Sequence, residues 1–205
     1  GSLTAIASVL QNKHDYAGAF EYLQKAVRID PDGSTLLRSL AVVCAQLGKD
    51  DEVSRYVGLM PSSLLSDPVL CETMASVYEQ REDHAAALSW FERILENDPR
   101  NTAIGLRAAT SALRCNKAGT AAAIYKTILS YDPAAKDVTA GLADILCAQG
   151  DYGQAADYLH KAAAVQENKH WINMRLADIY GRLRKYNHAV TYYRKALKAD
   201  PEDVT

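Results

Sequence analysis

Apolar residues recur along this chain at the spacing of amphipathic helices, and no stretch shows the strict alternation of a strand. The clearest case runs from Trp171 to Pro201. Leu176, Ala177 and Tyr180 share one helical face, RLRKYN breaks the pattern, and Ala189, Tyr193 and Ala196 share a second face at i, i+4, i+7. An Asp-Pro pair then stops the second helix. A hairpin this short cannot bury its apolar stripes alone and needs neighbours of the same kind on either side.

The rest of the chain supplies them. Stepping back by 34 residues from Ala177 gives Ala143, Ala109, Ala75, Ala41 and Ala7. The same step from Ala189 gives Ala155, Ala121, Ala87, Val53 and Ala19, and from Tyr193 gives Leu159, Tyr125, Phe91, Val57 and Leu23. No insertion or deletion breaks this phase. An unbroken register is the signature of an internal repeat. The alanine columns set close approach between the two helices of a hairpin, and the larger residues fill the space between hairpins.

The last repeat carries Ala177, Tyr180, Tyr186, Ala189, Tyr193, Ala196 and Pro201. In these residues the chain resembles the tetratricopeptide repeat family, and the resemblance spans all six repeats. It implies an all-α fold, a right-handed superhelix of about twelve antiparallel helices. The chain then reads as one solenoid over residues 1–205, in repeats of about 1–33, 34–67, 68–101, 102–135, 136–169 and 170–203.

Irregularities have local causes. Asp15 is a good N-cap for the second helix of repeat one. In repeat two Gly58 and Met60-Pro61 shorten the second helix, and PSSLLSDP reads as a loop, either a hinge or notch for a partner or a tolerated irregularity. In repeat four Gly105, Ala108 and Ala112 leave an underfilled face. Repeat five lacks the terminal proline, so its second helix is expected to run on toward Gln166. Gly1-Ser2 reads as a cloning scar, and with no polar capping helix after repeat six the sequence reads as part of a longer array, its last helix exposing Tyr192, Tyr193 and Leu197 to self-association.

Composition narrows the classes of function. With 48% apolar residues a continuous core is affordable in material terms, and the net charge of -2 gives no global argument for nucleic acid or an acidic membrane. No apolar run approaches membrane-spanning length, which fits an intracellular, cytoplasmic setting without excluding the nucleus. Cys44, Cys71, Cys115 and Cys147 form no CxxC pair and read as reduced buried thiols. His14, His84, His160, His170 and His188 sit in no metal-ligand spacing, and no nucleophile or phosphate-loop motif occurs. No catalytic residue, metal or cofactor is therefore expected.

The family resemblance implies that the first helices line a concave groove. The residues facing it are Arg107, Thr110, Arg114, Asp144, Trp171, Met174, Arg175, Asp178 and Arg182, with Arg38, Gln46, Thr73, Ser76 and Gln80 in earlier repeats. Arginine beside an aromatic is the composition of an interface core, while Arg–Asp pairs across neighbouring helices are the plainer reading. The family's carboxylate clamp for chaperone tails needs lysine and asparagine columns. Here those columns read Thr4, Arg38, Glu72, Leu106, Ala140, Met174 and Ser8, Val42, Ser76, Thr110, Asp144, Asp178, so that clamp is not expected.

Three functions follow as expectations. The first is a non-catalytic scaffold binding a peptide or helix of a protein partner, acidic with an apolar anchor, within a multiprotein assembly. The second is a reader of single-stranded RNA or glycan, using arginine and the aromatic column Tyr22, Tyr56, Trp90, Tyr158 and Tyr192. The third is self-association. The net charge and a lack of lysine clusters along the sequence favour the first.

Overall fold

The structure is a computed structural model that describes residues 1–166 and 169–199. Among these it is helical throughout, with thirteen α-helices and no strand. They fall into two compact units. The first, Gly1–Asp98, holds α1 (Ser2–Asn12), α2 (Tyr16–Val27), α3 (Ser34–Gln46), α4 (Asp50–Gly58), α5 (Ser62–Leu65), α6 (Pro68–Gln80) and α7 (His84–Asn97). The second, Pro99–Thr205, holds α8 (Thr102–Arg114), α9 (Ala118–Tyr131), α10 (Lys136–Ala148), α11 (Tyr152–Val165), α12 (His170–Arg182) and α13 (Tyr186–Ala199).

Each hairpin closes through the same backbone device. His14, Gly48, Glu82, Asn116, Gly150 and Arg184 all have φ between 57° and 80°, the left-handed region. The amide of the following residue reaches back five positions to a carbonyl of the first helix, as in Asp15 to Leu10 at 2.9 Å and Lys185 to Tyr180 at 2.8 Å. These are Schellman-type closures. Only two of the six sites hold the glycine that the conformation favours. Asp15, Asp83 and Asp151 then cap the second helices, accepting from Gly18, Ala86 and Gln154 at 2.9–3.1 Å.

Both alanine columns are buried. Ala7, Ala41, Ala75, Ala109, Ala143 and Ala177 are at most 1% exposed, and Val53, in the second column, is accommodated at 5%. Hairpins within a unit pack side by side, α2 on α3 and α3 on α6 in the first, α9 on α10 and α11 on α12 in the second. Leu23, Phe91, Tyr125 and Leu159 are buried as the filling residues. Tyr193, in the same column, is 42% exposed.

Three local expectations change. The thirteenth helix is α5, one turn where the sequence reads as loop. Pro61 starts it with a fixed φ of -66°, Leu64 N–H donates to the Pro61 carbonyl at 2.9 Å, and the Cys71 thiol donates to the Leu65 carbonyl at 3.1 Å. Met60, just before it, is buried, whereas α5 itself buries no residue. The short α4 is as expected, nine residues against fourteen in α7. The small residues of α8 do not leave an empty face, because Ile128 of α9 fills it. A Cβ on Gly105 would stand 2.7 Å from Ile128 Cδ1, so glycine there admits the isoleucine. Lastly, α11 ends at Val165 with Gln166 as its cap, the same length as α9, so the missing proline does not lengthen it.

Candidate partner-binding groove

In the second unit the first helices of the hairpins are α8, α10 and α12. Each buries one stripe: Ile104, Ala108, Ala109 and Ala112 on α8, Val138, Leu142, Ala143 and Leu146 on α10, Ile172, Leu176 and Ala177 on α12. The opposite stripes carry the residues expected to face a groove. On α8 Arg107 is half-buried, while Thr110 and Arg114 are exposed. On α10 Asp144 is exposed. On α12 Trp171, Met174 and Arg175 are half-buried and Asp178 is exposed.

The structure joins α10 to α12 through these side chains. Arg175 pairs with Asp144 across the two helices. A pocket of about 120 Å³ lies between them, walled by Asp144, Cys147, Arg175, Asp178 and Arg182 over a floor of Ala143 and Ile179. It includes none of the α8 stripe. Tyr193 of α13 donates its hydroxyl to Asp178, and this bond, ahead of burial, raises the Tyr193 phenol above its ordinary value. Cys147 is also pushed up, first by burial and then by the nearby Asp144 carboxylate. Trp171 stands at the edge of the same face. Its indole N–H donates to Gln166 at 3.2 Å, Gln166 in turn donates to the Ala134 carbonyl at 3.1 Å, and the Lys136 ammonium lies 5.8 Å from the ring.

The plainer reading of the groove is thus present in part: Arg175–Asp144 is the interhelical arginine–aspartate pair. Arg38 in the first unit likewise pairs with Asp67. Such half-exposed pairs contribute only about 0–1 kcal/mol, so they do not close the face to a competing carboxylate. Arg114 and Arg182 have no ion-pair partner among the described residues.

The aromatic column behaves as packing material. Tyr56 and Trp90 are 4% and 7% exposed. Lys25, Arg93, Lys161 and Lys195 lie over Tyr22, Trp90, Tyr158 and Tyr192 at 4.5–5.2 Å, each three residues further along its helix. Tyr192 also stacks on Tyr180 with ring centres 5.4 Å apart, so it is not the bare end-face residue expected from the sequence. Tyr193 and Leu197 are exposed there, as expected.

Charge is the feature that the whole-chain figure conceals. Residues 1–98 hold 8 Lys and Arg against 15 Asp and Glu, a net -7, whereas residues 99–205 hold 15 against 10, a net +5. The expectation of no lysine cluster also fails in three dimensions. Lys169, Lys195 and Lys198 share one pocket although 26 residues separate the first two. A reading of charge along the repeat columns, with the chain divided at Asp98, would have found both.

Tetratricopeptide repeat models match residues 1–32, 70–101 and 172–203, and a second model of that description matches 112–175, together more than half of the chain. The chain belongs to the tetratricopeptide repeat family. Solved structures share its fold at low identity. "MamA AMB-1 P212121" aligns at 16% identity with a TM-score of 0.58, over 86% of this chain and 96% of that one. "Crystal structure of MamA" aligns at 13% and 0.54, over 96% and 95%. MamA residues 41 to the end from Desulfovibrio magneticus RS-1 align at 16% and 0.55, over 84% and 97%. No helix among the described residues is long and apolar enough to cross a membrane.

Proposed function

We propose that this tetratricopeptide repeat chain is a non-catalytic interaction scaffold, and that the stripes of α8, α10 and α12 form the surface that takes a peptide or helix of a protein partner. The partner segment carries acidic groups around an apolar anchor. The observation that carries this reading is the α10–α12 pocket, where Arg175 and Arg182 stand over a small apolar floor with Trp171 and Met174 on the same helix. Arginine and tryptophan are the side chains most often found at interface hot spots. The net charge of +5 on residues 99–205 favours an acidic partner, and Arg107 and Arg114 on α8 extend the same preference.

Panning a random-peptide library against the chain tests this. Enriched peptides are expected to carry Asp or Glu around an apolar residue. Their binding should fall by about 2 kcal/mol or more for Arg175→Glu/Arg182→Glu, as at an interface hot spot. The melting temperature should change little, because both side chains lie outside the alanine-packed core. Peptides that bind this variant normally but lose affinity for Tyr158→Ala would transfer the binding surface to the aromatic column.

A further inference from the structure

Along its second helices, the second unit carries two concavities one repeat apart. The first, about 500 Å³, lies between α9 and α11, and the second, about 570 Å³, lies between α11 and α13. Their linings correspond at the 34-residue step. Tyr158 and Lys161 of the first become Tyr192 and Lys195 of the second, while Lys126 becomes His160 and Thr139 becomes Asn173. The first stays open although a further hairpin follows it, so the concavity belongs to the repeat and is not a bare end.

The two differ in charge. Ala164 on the wall of the first is Lys198 in the second, and Lys169 stands where the preceding repeat has Ala135. Among the described residues, the second concavity is lined by three lysines and a histidine and by no carboxylate. None of the three ammonium groups has an ion-pair partner among the described residues. The 13-residue α12 begins beside it, with Lys169 at the N-cap position and no side-chain cap hydrogen bond among the described residues. Like charges gathered around one hollow repel one another, and an anion entering it relieves that repulsion. Tyr192 on one wall, with Lys195 4.5 Å from its ring centre, adds a half-buried aromatic surface, and Asn173 adds a hydrogen-bonding amide.

We propose that the concavity between α11 and α13 is a binding site for a phosphate-bearing ligand of two or more negative charges. Lys169, Lys195 and Lys198 contact the phosphates and Tyr192 lines the remainder. The register-related concavity between α9 and α11 has the same frame without the extra lysines, and it serves as an internal control.

Calorimetric titration of the whole chain with inorganic pyrophosphate and with adenosine diphosphate, at fixed ionic strength, tests the site. Pyrophosphate is expected to bind saturably. Lys169→Gln/Lys198→Gln should weaken it by about tenfold or more, the loss of charge-assisted hydrogen bonds. Lys126→Gln/Lys161→Gln, on the control concavity, should leave it within about twofold, the scale expected of exposed charges at a distance. All four lysines are exposed, so unchanged melting temperatures verify that both variants fold. Tighter binding of the nucleotide, lost in Tyr192→Leu, identifies a nucleotide as the source of the phosphate, and equal affinity identifies inorganic polyphosphate. Equal weakening by the two double variants, or no saturable binding of either probe, overturns the proposal.

Discussion

Replacing Glu82 or Arg184 by glycine should stabilise the protein. Both residues hold the left-handed backbone conformation that closes a hairpin, at φ of 58° and 57°. For a residue with a Cβ this conformation costs roughly 1–2 kcal/mol relative to the right-handed one. Glycine avoids that cost but loses about 0.5–1 kcal/mol more backbone entropy on folding. The balance leaves about 0.5–1 kcal/mol in favour of glycine, a rise of about 1–4 °C in Tm for a chain of this size. The reverse change, Gly150→Ala at φ of 80°, should lose a similar amount. A Cβ on Gly150 meets nothing within 4 Å, so the loss there is one of backbone alone. Asn116 holds the same conformation, and asparagine tolerates it, so Asn116→Gly should change stability by only a few tenths of a kcal/mol. Urea unfolding at constant m-value reads all four changes. Glu82 and Arg184 belong to different units, so their gains should add. Stabilisation by Gly150→Ala, or equal effects of Glu82→Gly, Arg184→Gly and Asn116→Gly, would refute the reasoning.

Other substitutions probe packing and charge. Ala109→Leu and Ala143→Leu, at positions no more than 1% exposed, should each destabilise by about 1–3 kcal/mol through overpacking, whereas Ser8→Leu on an exposed face should do little in thermal melts. Gly141→Ala should be similarly costly, because its Cβ would stand 2.7 Å from the Tyr125 ring. Asp50 accepts two hydrogen bonds from Arg81 at 2.8 and 2.9 Å, and these hold its carboxyl below the usual carboxylate value. Its folded-state pKa lies below the unfolded one, so its contribution is present above about pH 4 and fades as pH falls through the lowered value. Asp50→Asn should therefore flatten the acid limb of a pH series of urea melts, and an unchanged limb would count against the pair.

The repeat was legible because its strongest constraint is steric and strictly periodic. Alanine at 109, 143 and 177 must be small wherever two helices meet closely, and no surface pressure blurs that signal. Residue type signals the left-handed turn at Gly48 and Gly150 and, more weakly, at Asn116. At Glu82 and Arg184 the five-residue backbone closure enforces a conformation that the side chain does not favour, so residue type gives no warning. The one-turn α5 was hidden because Pro61 and the Cys71 contact, not helix propensity, fix it. The candidate groove positions followed from the family resemblance together with helical phase, but the Arg175–Asp144 pair depends on which rotamers meet across α10 and α12. The lysine cluster arises from three positions separated in sequence, and the net charge of -2 concealed it because the first unit is acidic.

Cys147 offers the most direct test of the groove, because it lines the α10–α12 pocket and is half-buried there. In a Cys115→Ser background three cysteines remain, and Cys44 and Cys71 are buried, so iodoacetamide labelling under native conditions reports on Cys147. A peptide enriched by panning, added at saturation, is expected to slow that labelling severalfold, with the same peptide having no effect on labelling of Arg175→Glu/Arg182→Glu. Saturating peptide that leaves the Cys147 rate unchanged would contradict binding in the groove.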